Sequence, residues 1–101
     1  QASYLGKLVR QHPRLQLLAE VSLNIVCYRY NPGGLNEAQL DILNKELLIR
    51  LHEEGIALPS FTLLNGKYTI RVAITNHRST RADFDLLVEA SVRIADDLEK
   101  K

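Results

Sequence analysis

The sequence contains no methionine and no tryptophan, one cysteine, and two phenylalanines in 101 residues. A single cysteine rules out an internal disulfide. Cys27 lies in an apolar stretch, where a small buried hydrophobe is expected rather than a reactive thiol. Charge of one sign is also missing: 13 Lys and Arg stand against 12 Asp and Glu, a formal +1. With no basic face or run, nucleic acid is not an expected partner. No apolar run approaches the roughly 18 residues that would suggest a membrane span. The start of the chain lacks the pattern of a secretory signal, so a cytoplasmic protein is expected. The three histidines, His12, His52 and His77, have no metal-ligand spacing. There is no Gly-x-Ser-x-Gly, Cys-His dyad or carboxylate pair. The first residues already read as a helix and no initiator methionine precedes them, which leads to the expectation of a piece of a longer polypeptide.

What remains is 46% hydrophobic and 25% charged, enough for one self-sufficient domain. Ser3 to Gln11 reads as a helix with Ser3 able to cap it, weakened by Gly6 and ended by Pro13. Leu15 to Ala19 reads as a short strand and Leu23 to Tyr30 as a stronger one, apolar on both faces and so central or partly covered on both. Asn31-Pro32-Gly33-Gly34 has the composition of a loop, without the glycine spacing of a phosphate cradle. Asn36 and Gln39 form a capping box ahead of a leucine stripe, Leu40, Leu43, Leu47, Leu48 and Leu51, closed by Gly55 and Ile56. Asn65-Gly66 joins Ser60–Leu64 to the strand from Lys67 to Thr75 as a type I′ hairpin. A two-residue loop fixes the register, placing Leu63 opposite Tyr68, Phe61 opposite Ile70 and Ser60 opposite Arg71. Thr80 and Asp83 cap a last helix whose stripe is Phe84, Leu87, Val88, Ser91, Ala95 and Leu98. The predicted order is α-β-β-α-β-β-α: an α+β fold, with helices on one face of a small, mainly antiparallel sheet.

The strand after the hairpin carries the chemistry. Tyr68, Ile70, Val72 and Ile74 alternate with Lys67, Thr69, Arg71, Ala73 and Thr75, so one face is core and Arg71 lies on the other. Its neighbours there are short and no acidic cross-strand partner is predicted. Two readings stand. Arg71 is either a solvated or ion-paired outer-face arginine, or a planar fork held ready for a carboxylate or phosphate.

Four segments resemble a known family. These are Val26-Cys27-Tyr28-Arg29-Tyr30, Gly33-Gly34-Leu35-Asn36 leading into a long helix, Leu58-Pro59-Ser60 ahead of a hairpin, and Tyr68-Thr69-Ile70-Arg71-Val72-Ala73-Ile74-Thr75-Asn76. In this order they are similar to the C-terminal small domain of group II pyridoxal-phosphate-dependent amino-acid decarboxylases. That family includes the aromatic-L-amino-acid, glutamate, histidine and diaminobutyrate enzymes, with the aspartate-aminotransferase type of fold.

The resemblance implies that residues 1–101 are a single C-terminal small domain, with residues 1–12 ending the connecting helix. It also implies a larger enzyme with pyridoxal phosphate, an amino-acid substrate and a homodimeric assembly. The aldimine lysine and the other cofactor ligands would belong to a large domain absent from this chain. Lys7, Lys45, Lys67, Lys100 and Lys101 match none of the required contexts, so this piece alone is expected to bind no cofactor and to be inactive. The small domain would close over the active site and supply Arg71 to hold a substrate carboxylate, with Asn76 and His77, and Arg78 beside them, at the cleft mouth. If the Arg71 face docks on a large domain, Val26, Thr69 and Ala73 should be unusually exposed. The alternative is a stand-alone ferredoxin-like module for small-molecule binding or dimerisation, with Arg71 a surface or ligand contact.

Overall fold

The computed structural model describes residues 1–74 and 80–100. Its elements are α1 (Ala2–Gln11), β1 (Leu15–Leu17), β2 (Ile25–Tyr30), α2 (Glu37–Glu53), β3 (Ser60–Leu64), β4 (Lys67–Ala73) and α3 (Arg81–Glu99). The four strands form one antiparallel sheet in the order β1-β2-β4-β3.

Local chemistry sets the ends of the long helices. The Asn36 side chain accepts from the Gln39 amide at 2.8 Å, and the Gln39 side chain accepts from the Asn36 amide at 2.9 Å. At the other end of α2, Gly55 takes φ 86°, and the Ile56 amide returns to the Leu51 carbonyl at 2.9 Å, satisfying a carbonyl the helix leaves free. Thr80 and Asp83 form the same reciprocal box on α3. Ser3 does not cap α1. The helix begins one position before it, with Gln1 as N-cap and the Leu5 amide bonded to the Gln1 carbonyl, because buried Ala2 already belongs to the stripe with Leu5 and Val9.

The hairpin pairs as its turn requires. Asn65 (φ 52°) and Gly66 (φ 77°) supply two consecutive left-handed residues, and Ser60, Phe61 and Leu63 face Arg71, Ile70 and Tyr68. Because β2 and β3 are both antiparallel to β4, they run parallel to each other with β4 between them. This is the split β-α-β arrangement of ferredoxin-like folds. Here, however, the strand beside β2 is β1, which precedes the unit in the chain.

All three helices lie on one sheet face. There Val26, Tyr28 and Tyr30 of β2 and Ile70 and Val72 of β4 meet Leu5, Val9, Leu47, Leu51, Phe84 and Leu87 in one buried cluster. Tyr28 and Ser91 share a buried hydroxyl–hydroxyl hydrogen bond of 2.8 Å, so the polar atoms within this core are paired.

Three expectations need correction. Val26 pairs with Val72 and belongs to the helix side, where it is buried, and Thr69 is buried although it shares the Arg71 face, so neither is exposed. Ala73 is half-buried. Leu23 lies before β2 and is almost wholly exposed, so the strand is shorter than its apolar pattern. Phe61 and Leu63 share the face of Ile70 but are 55% and 63% exposed. Helix α2 packs over β4 and β2 rather than β3, which leaves the helix side of that edge strand uncovered.

Candidate carboxylate-binding arginine

Arg71 occupies the middle of β4 on the face away from the helices. Cys27 of β2 stands opposite it on one side and Ser60 of β3 on the other. Thr69 and Ala73 are its same-face neighbours along the strand. The residue is half-buried. Among the described residues no carboxylate forms a salt bridge with it. The Ser60 hydroxyl donates to its backbone carbonyl at 3.4 Å, not to its side chain. The Cys27 thiol opposite is pushed above its ordinary pKa by burial, with the Arg71 charge pulling in the other direction. The thiol therefore stays neutral and leaves the guanidinium charge uncompensated.

A second arginine on the same face behaves differently, and the sequence reading did not single it out. Arg29 lies beyond Cys27 on β2 and is 2% exposed. Its Nε donates to the Gln16 side chain at 2.9 Å, and its two terminal nitrogens reach the two carboxylate oxygens of Glu37 at 2.9 and 3.3 Å. Gln16 also accepts from the Asn31 side chain at 3.1 Å. The Arg29 charge holds the Glu37 carboxyl below its ordinary pKa. The first residue of α2 is thereby tied to β2. The available signal was indirect: an acidic residue directly after a helix cap, and an arginine two positions from Cys27 in a strand whose faces alternate.

The remaining site expectations divide. His77 and Asn76, together with Arg78, lie outside the described residues. His12 accepts the Arg14 amide at 3.2 Å, and His52 bonds the Pro59 carbonyl at 2.7 Å; both shape local turns. No group of three metal-ligating side chains occurs among the described residues. No helix among them is long and apolar enough to cross a membrane. Lys7, Lys45 and Lys100 are exposed, and half-buried Lys67 adjoins the hairpin turn within reach of the Glu37 charge. Lys100 lines a groove with Arg50 and Arg93 but also with Glu54, Asp96 and Asp97, carboxylates that oppose a phosphate, so these residues do not fit a seat for pyridoxal phosphate. A groove of about 530 Å³ beside Arg50, Glu54 and Arg93 lies on the helix layer and is not lined by Arg71.

The architecture is thus a helix-backed antiparallel sheet whose second face keeps, among the described residues, Arg71 without a carboxylate salt bridge. No protein-family model matches the chain. It is 30% identical over 73 residues to tyrosine decarboxylase 2 of Arabidopsis thaliana, covering 72% of this chain and 13% of that protein. To the aromatic-L-amino-acid decarboxylase of Catharanthus roseus it is 27% identical over 97 residues, covering 92% of this chain and 18% of the relative. The glutamate decarboxylase domain of a Vibrio parahaemolyticus diaminobutyrate-pyruvate transaminase and L-2,4-diaminobutyrate decarboxylase superposes with a TM-score of 0.82 at 30% identity, over 96% of this chain and 20% of that one. Oryza sativa TDC, solved with PLP and tryptamine, superposes with a TM-score of 0.86 at 22% identity, over 96% of this chain and 21% of that one. The chain therefore spans less than a quarter of these proteins. It is related in sequence and fold to the small C-terminal domain of group II pyridoxal-phosphate-dependent amino-acid decarboxylases.

Proposed function

We propose that this chain is the small domain of a pyridoxal-phosphate-dependent amino-acid decarboxylase, and that Arg71 holds a substrate carboxylate when the domain closes over the active site. The cofactor and the groups that bind it belong to a large domain of the same polypeptide, in a cytoplasmic homodimer. One observation carries this reading: of the two arginines on the second sheet face, Arg29 is locked by Glu37, whereas Arg71 has no carboxylate among the described residues. A guanidinium on a half-open strip, flanked by Cys27, Ser60 and Ala73, can donate to both oxygens of an incoming carboxylate in one plane.

Physical chemistry limits what Arg71 does. A tight ion pair to the departing carboxylate would stabilise the ground state more than a transition state losing charge there. Its contribution is therefore orientation: it fixes the plane of the carboxylate, or grips a side-chain acid where the substrate carries one. When bound in the large domain, pyridoxal phosphate supplies the electron sink for decarboxylation.

The test is substitution at Arg71 in the full-length enzyme. Arg71→Lys keeps the charge but loses the fork, and misorientation of reacting groups costs on the order of 100-fold in rate. It should lower kcat/KM substantially while fold and cofactor loading persist, and Arg71→Ala should be worse. An Arg71→Ala enzyme within about threefold of the parent, under ~1 kcal/mol of transition-state stabilisation, would sink the assignment.

A further inference from the structure

The charges of the second sheet face bear on how firmly Arg71 can hold an anion. Arg71 stands opposite Cys27, so Arg29, two residues further along β2, is its diagonal neighbour across the two central strands. Diagonal neighbours lie about 7–8 Å apart at the backbone. That is inside the screening length of about 10 Å in dilute salt. Two bare guanidiniums this close would add their pull on any carboxylate brought between them.

One of the two is compensated. Both terminal nitrogens of Arg29 reach the Glu37 carboxylate, and its Nε is held by Gln16, so the guanidinium is committed on three sides. Glu37 is placed for this by local chemistry, since the Asn36–Gln39 capping box starts α2 at Glu37. The Lys67 charge also acts on the Glu37 carboxylate. The residues flanking Arg71, namely Cys27, Ser60, Thr69 and Ala73, carry no formal charge.

Resting on the carboxylate-holding role of Arg71, we propose that Glu37 is a positioning residue for that site. It cancels the Arg29 charge, so that Arg71 orients a substrate carboxylate without the added grip of a second cation. Added grip on a departing carboxylate would deepen the ground state and leave the transition state, which loses that charge, without equal gain. The cancelling charge sits on the rim, where Glu37 is 58% exposed, whereas the Arg29 side chain beneath it is 3% exposed. Glu37 therefore tunes Arg71 through Arg29 and without touching the substrate.

Cys27 is the reporter, because it lies directly opposite Arg71. In the full-length protein without substrate, its alkylation by iodoacetate, itself a carboxylate, is compared with its alkylation by neutral iodoacetamide. In both reactions the thiolate sulfur displaces iodide, and both products are read on the Cys27 peptide by mass spectrometry. The ratio of the two rates cancels thiolate fraction and access, and leaves the pull on the carboxylate. Glu37→Gln should raise the ratio about threefold in dilute salt, and the gain should shrink as sodium chloride is added. Arg29→Gln, which leaves Glu37 uncompensated, should lower it. Both variants break the same ion pair, so a merely structural role would move the ratio in one direction for both. Either variant that folds gives a signed result. A shift of the same sign in both, no shift in either, or a Cys27 that neither reagent reaches overturns the proposal. Arg71→Ala separates the two readings: if it lowers the ratio while the Glu37 and Arg29 variants leave it unchanged, only the role of Glu37 falls. If it too leaves the ratio unchanged, the carboxylate-holding role of Arg71 falls as well.

Discussion

Arg29 and Glu37 meet as a fork, with both carboxylate oxygens of Glu37 reached by the terminal nitrogens of a guanidinium whose side chain is 3% exposed. Glu37 itself is 58% exposed, but neutralising it leaves the buried Arg29 charge without its counter-ion. Glu37→Gln should therefore lower the melting temperature at neutral pH more than the same exchange at an exposed position of α2, Glu46→Gln. Differential scanning calorimetry decides it, and equal melting temperatures for the two variants would show the pair to be idle.

The same pair predicts a pH dependence. Glu37 has its folded-state pKa held below the ordinary value of 4.5, chiefly by the Arg29 hydrogen bonds. A depressed carboxyl contributes stability that is present above 4.5 and is lost as the pH falls through the folded pKa. Between neutral and acid pH the parent should therefore lose stability more steeply than Glu37→Gln. Parallel unfolding curves across that range would contradict this.

Asn44 lies fully buried in the leucine stripe of α2. Its side chain accepts the Tyr30 amide at 2.8 Å and donates to the Tyr30 carbonyl at 3.0 Å, finishing the end of β2. Asn44→Leu would extend the apolar stripe yet leave two buried backbone groups without partners. The expected loss is about 1–3 kcal/mol in a urea titration. A neutral or stabilising result would mean that water replaces the amide.

Gly6 reads as a weak point in α1, but a Cβ there would come within 2.6 Å of the Val21 Cγ2 methyl. A β-branched side chain has little freedom to move aside. Gly6→Ala should therefore destabilise despite a gain of about 1 kcal/mol in helix propensity. Gly6→Ala with Val21→Ala should recover most of the loss, and thermal melts of both variants test the pairing.

The parts of the fold that are legible in the sequence are those governed by local chemistry. The Asn36 and Thr80 boxes, the Gly55 stop and the Asn65-Gly66 register all depend on residues within a few positions of one another. Arg71 stands out because a period of two separates it from the core. What stays hidden depends on which surface another element happens to cover. Phe61 and Leu63 have the correct alternation, but no pattern in β3 says that α2 stops short of it. Thr69 reads as open because its burial depends on residues of other elements, which no pattern within β4 reveals. Ser3 reads as a cap because small Ala2 does not stand out as a core residue.

The position of β1 governs how the molecule comes apart. Strand β1 joins the rim of the sheet from the N-terminal side, with Leu15, Gln16 and Leu17 paired to β2 and the Leu18 amide bonded to the Cys27 carbonyl at 3.0 Å. Helix α1 buries Leu5 and Val9 in the common core, and 2.6 Å contacts of Tyr4 with Asp85 and of Arg14 with Asp96 tie the segment to α3. The first segment is therefore part of the common core through Ala2, Leu5, Val9 and Leu15, while its strand forms the short rim of the sheet. In hydrogen exchange, the amides of β1, a short edge strand, should give up protection before those of central β4.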